Sequence, residues 1–91
     1  MQDKQEHSTY NPEYSYETLP ILIKMARAAL GLGIRDLARI SGMAPDTIAR
    51  LERGDELKRA TIAQIRTALE DAGVEFIAGS NGGVGVLLKK K

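Results

Sequence analysis

From Thr18 onward, apolar residues recur at helical spacing. Leu22, Met25, Ala26, Ala29 and Leu30 follow i, i+3, i+4, i+7, i+8 and predict one face of an amphipathic helix. Thr18 can cap that helix, Pro20 fits its first turn, and Gly31 and Gly33 end it. A second, short helix is predicted from Ile34 to Ser41, with Leu37 and Ala38 inward. Gly42 follows, where a glycine can take the left-handed conformation and turn the chain sharply. Met43 is apolar and is expected to plug the core at this turn. Pro45 opens a third helix at the position proline favours. Ile48 and Leu51 point inward, and Gly54 closes the helix. Residues 55–59 read as a polar connection. The fourth helix is expected over residues 61–72, with Ile62, Ile65, Leu69 and Ala72 on one face and Gly73 as its stop.

Beyond Gly73 the period changes. Val74-Glu75-Phe76-Ile77 and Val84-Gly85-Val86-Leu87-Leu88 are strand-like, and the glycine-rich residues 79–83 between them predict a β-hairpin. An isolated two-stranded hairpin is marginal in water, so it must pack on the helices or pair with another chain. Its unpaired edge, and an apolar face of Phe76, Ile77, Val86 and Leu87, suggest a homodimer joined at least partly here. Residues 1–17 are polar, with almost no aliphatic side chains, and read as a flexible acidic arm. All three tyrosines, Tyr10, Tyr14 and Tyr16, lie in it. The expected organisation is therefore an arm over 1–17, a helical domain over 18–73, and a hairpin with a basic tail over 74–91.

Composition narrows the function classes. The 91 residues suit one small domain. Cysteine is absent, which removes disulfides, thiolate metal sites and a cysteine nucleophile. One histidine, His7, makes an intrachain histidine metal site improbable and stands in the arm without a catalytic partner. Asp55-Glu56 and Glu70-Asp71 are adjacent pairs that do not share a helix face. The glycines near residues 79–85 precede no helix that could hold a phosphate. No enzyme and no cofactor is expected. No apolar stretch approaches the roughly 20 residues of a membrane span, and the N-terminus lacks signal-peptide order, so the cytoplasm is the simplest compartment. The net charge of +1 hides an asymmetry. Lys4 faces Asp3, Glu6, Glu13 and Glu17 at the N-terminal end, which leaves the remainder net basic. That balance permits nucleic-acid binding without demanding it.

The informative stretch is LGLGIRDLARISGMAPDTIARLERG, residues 30–54. Two short helices meet at a tight turn, with Ala38, Met43, Ile48 and Leu51 where crossing helices approach closely. This is the spacing of a helix-turn-helix, whose second helix is presented to the DNA major groove. The outward positions of that helix are Pro45, Asp46, Thr47, Ala49, Arg50 and Arg53. Taken singly, Lys24, Arg27, Arg35 and Arg39 read as solvated, and Arg50 can pair with Asp46 at i, i+4 for a few tenths of a kcal/mol.

The pieces LGLGIRDLA, SGMAPDTIARLERG and TIAQIRTALEDAGVEF resemble the phage repressor/Cro-like (Xre-type) helix-turn-helix regulators over about residues 19–72. The ending, VEFI then GGVGVLL and lysines, is similar to short bacterial members with a C-terminal β-hairpin. The resemblance implies a mainly α fold: a four-to-five-helix repressor-like domain with a short C-terminal β-hairpin. It implies base reading at Pro45, Asp46 and Arg50, and phosphate contact at Ile34 and Arg53. With Arg35 and Thr47, these seven residues form the candidate DNA interface. The chain departs from the family in carrying Ile34 for a polar residue, and Gly33 and Ala44 for Ser or Thr caps. Arg50 is the best base reader, because a guanidinium can bond guanine O6 and N7 together. Asp46 could accept from cytosine N4 while repelling phosphate. The resemblance thus implies a sequence-specific DNA-binding regulator, a dimer that represses. The alternative is a protein-interaction module, or an antitoxin, whose arm or hairpin binds a partner protein such as a toxin.

Overall fold

The computed structural model describes residues 18–89. The arm expected over 1–17, with His7 and the tyrosines, lies outside the described residues, as do Lys90 and Lys91. Among the described residues, four helices precede one hairpin: α1 Leu19–Leu30, α2 Ile34–Ser41, α3 Pro45–Arg53, α4 Arg59–Ala72, β1 Val74–Ala78 and β2 Val84–Leu88. The mainly α fold with a terminal hairpin is as the sequence predicts. Each helix contributes a stripe to one core: Leu22, Ile23 and Ala26 from α1, Leu37 and Ala38 from α2, Ile48 and Leu51 from α3, and Ile62, Ile65 and Leu69 from α4. Their burial is the main stabilising term, on the order of 1.5–3 kcal/mol for each large aliphatic side chain.

The helical part differs from the sequence reading in three details. On α1 the buried stripe is Leu19, Leu22, Ile23 and Ala26, while Met25 is exposed. Both stripes satisfy helical spacing, so the period alone does not choose between them. Met25 turns toward β2, its methyl 3.9 Å from where a Cβ on Gly85 would stand. Helix α4 begins at Arg59, two residues early, because Arg59 and Ala60 are exposed and neither carries a large apolar side chain to mark the start. The connection before it is not wholly polar, since Leu57 packs against the core.

The hairpin is antiparallel, with Val74 opposite Leu88 and Phe76 opposite Val86. Side chains alternate across a strand, so its faces divide. Val74 and Phe76 are fully buried, with Val84 and Val86 packed against the same core. Ile77 and Leu87 fall on the other face, and Leu87 is exposed. The apolar face expected to hold all of Phe76, Ile77, Val86 and Leu87 is thus two faces, and the inner one packs on the chain's own helices. The Lys89 N–H donates to the Gly73 carbonyl at 2.8 Å and fastens the end of β2 beside the end of α4.

Candidate nucleic-acid interface

The turn between α2 and α3 fixes the candidate interface. Gly42 adopts φ 73°, ψ 22°, a left-handed conformation that costs glycine little and other residues more. The Met43 N–H donates to the Ala38 carbonyl at 2.9 Å and closes α2. Ala44 is extended and offers no side-chain cap, and Pro45 starts α3. Gln64 of α4 donates from Nε2 to the Ser41 carbonyl at 2.7 Å, clamping the end of α2. Buried Ser41 returns its hydroxyl to the Leu37 carbonyl at 2.6 Å, so a small polar residue fits the crossing without an unpaired group.

Helix α3 has two unlike faces. Ile48, Leu51 and Glu52 are buried. Glu52 is held by Arg27 of α1 in a two-point ion pair, Nε to Oε2 at 2.7 Å and Nη2 to Oε1 at 2.8 Å. Arg27 Nη1 also donates to the Leu32 carbonyl at 3.1 Å, so one guanidinium ties α1, the following link and α3 together. The hydrogen bonds to Glu52 foremost push the Arg27 pKa up. Arg27, read from sequence as solvated, is therefore structural. Pairing at 25 residues' separation leaves no local pattern to find it by.

On the outer face, Pro45, Asp46 and Arg53 are exposed, and Thr47, Ala49 and Arg50 are partly so. Arg50 does not pair with Asp46. Its partner is Asp55, 3.7 Å away, and Arg53 donates to the same carboxylate oxygen at 2.9 Å. Asp55 follows Gly54, whose φ of 95° turns the chain back over the end of α3. The sequence presents Asp55 only as half of an adjacent acidic pair in a polar connection, without its arginine partners. On α2, Arg35 is exposed, and Ile34 is half-buried against the core. Asp36 accepts from the Gly33 N–H at 2.8 Å and from Arg39 at 3.0 Å. The Gly33 bond foremost holds the Asp36 carboxyl below its ordinary range. It forms the carboxylate half of a capping box, Gly33 having no side chain for the other half.

Among the described residues, no group of three or more His, Asp or Glu side chains could hold a metal ion. No described helix is long and apolar enough to cross a membrane. A comparison with curated proteins finds no match. A family model described as Helix-turn-helix matches residues 23–70, from the middle of α1 nearly to the end of α4. With the α2–turn–α3 geometry at its centre, the chain belongs to the Xre/Cro-like helix-turn-helix family of DNA-binding regulatory domains.

Proposed function

We propose that the protein is a sequence-specific transcriptional repressor that reads the major groove with the helix starting at Pro45. The observation that carries this reading is the division of α3. Its inner face is locked by Ile48, Leu51 and the Arg27–Glu52 pair, while Pro45, Asp46, Thr47, Arg50 and Arg53 project from the core. A rigid helix with an uncovered polar face is what base reading requires. Arg50 reads a guanine edge, Asp46 selects against unsuitable bases, and Thr47 touches a thymine methyl or a phosphate. Arg53 and Arg35 neutralise phosphates, and Ile34 contributes only its main-chain N–H at the first turn of α2. A footprint on the DNA upstream of the protein's own gene tests this. Protection of a short near-palindromic site supports the reading, and binding that never discriminates among duplexes contradicts it.

The repressor acts as a homodimer in this reading. Two recognition helices about 34 Å apart would meet successive major grooves. Ile77 and Leu87 on the outer hairpin face, with Met25 beside Gly85, offer the apolar surface for a second copy. Deleting β2 would also open the core, so Leu87→Glu is the cleaner test. The variant should sediment as a monomer where the wild type is a dimer. A wild type that is monomeric at micromolar concentration without DNA contradicts the dimer. The alternative, a protein-interaction module or antitoxin, would use the same outer face for a partner protein and predicts partner binding that survives loss of Arg50.

A further inference from the structure

Asp55 stands where a carboxylate does not help the helix. The C-terminal end of a helix carries partial negative charge, so an acidic residue just past it is unfavourable on its own account. Asp36, by contrast, lies in the first turn of α2, where a carboxylate stabilises. The turn at Gly54 needs nothing from the Asp55 side chain. It is closed by main-chain bonds, Gly54 N–H to the Leu51 carbonyl at 3.1 Å and Asp55 N–H to the Arg50 carbonyl at 2.9 Å. What the side chain does is hold the two arginines of the recognition helix. One oxygen lies 2.9 Å from Arg53 Nη2 and 3.7 Å from Arg50 Nε. All three side chains are well exposed, between 42% and 60%, so these pairs are weak and exchangeable.

We propose that Asp55 is a specificity filter, a positioning residue that competes with DNA phosphate for Arg50 and Arg53. This rests on the DNA-binding reading above. On an arbitrary duplex, phosphates alone must displace the carboxylate from both arginines. On the fitting site, a base edge takes Arg50 and a phosphate takes Arg53 together, and the exchange is favourable. Asp55 thereby lowers non-specific affinity more than specific affinity.

The test uses the full chain and two duplexes, one selected from a randomised library by the wild type and one scrambled. Binding is followed over a salt series for the wild type, Asp55→Asn, Arg50→Ala/Arg53→Ala, and the triple variant. Asparagine keeps the main-chain bonds and suits the turn, and an unchanged melting midpoint confirms that the fold is intact. Asp55→Asn should bind the scrambled duplex about 5-fold to 10-fold more tightly at low salt, with a log–log salt slope steeper by about one. The gain on the selected duplex should stay under about twofold, so the specificity ratio falls. In the background lacking both arginines, the gain should shrink below about twofold. Equal gain on both duplexes, equal gain without the arginines, or no gain at all overturns the filter while leaving wild-type DNA binding in place. A wild type that binds no duplex overturns the DNA reading and the filter together.

Discussion

The two sides of α3 are built from different chemistry. The inner side is apolar except for Glu52, and Glu52 is matched by two hydrogen bonds from Arg27. The outer side carries Asp46, Arg50 and Arg53, with Asp55 just beyond, so its charges balance and its ion pairs are solvent-exposed. Inner contacts cannot be exchanged for water without loss, because their partners would stay buried. Outer contacts are solvent-exposed and can be exchanged for water at little cost. The helix is therefore fixed in position by one side and open to solvent on the other, the face proposed to read DNA. Substitutions should separate the two cleanly.

The largest effect is expected in the core. Leu51→Ala should lower unfolding free energy by about 2–5 kcal/mol, read from denaturant midpoints. Arg27→Ala should cost about 3 kcal/mol, because it strands a buried carboxylate. Replacing Arg27 and Glu52 together by methionine should recover most of that loss, and failure to recover it would mean that the pair does more than satisfy itself. Gly42→Val should cost about 1–3 kcal/mol, since a β-branched residue at φ 73° is strained and its Cβ would press on Gln64, 3.3 Å away. An unchanged midpoint would remove the turn from the account. Arg53→Ala, on the outer side, should leave stability unchanged. It should weaken binding to all duplexes alike and flatten the salt slope by about one.

The smallest effect concerns pH. The folded state lowers the Asp36 carboxyl below its ordinary value of 3.8. Its contribution to stability is then fully present above that value and is lost as pH falls through the lower, folded value. Asp36→Asn should abolish this part of the acid dependence and leave the rest. An unchanged acid limb in the variant would assign the dependence elsewhere.

The frame was legible because glycine and proline mark it. Gly42, Pro45 and Gly54 delimit α2 and α3, and those two helices and β2 fall where the sequence places them. Two kinds of information were not local. The rotation of α1, which buries Ile23 in place of Met25, depends on how α1 packs in the fold, because helical spacing allows either. Arg27 and Glu52 are charged residues that look solvated one at a time, and only the fold brings them together. Asp55 was hidden for a milder reason. An acidic residue after a helix-ending glycine reads as a loop residue until its two arginine neighbours are seen. The Pro45, Asp46, Thr47, Arg50 and Arg53 cluster lay on one helix, where spacing alone brings its members together.

The central claim is that Arg50 reads a base from the outer side of α3. Wild type and Arg50→Ala should be compared for binding across one randomised-site duplex library, with denaturation midpoints measured alongside. The account predicts equal stability, a loss of about 1–3 kcal/mol on the preferred site, and relaxed preference at a single base position. Identical binding profiles for the two proteins would contradict it.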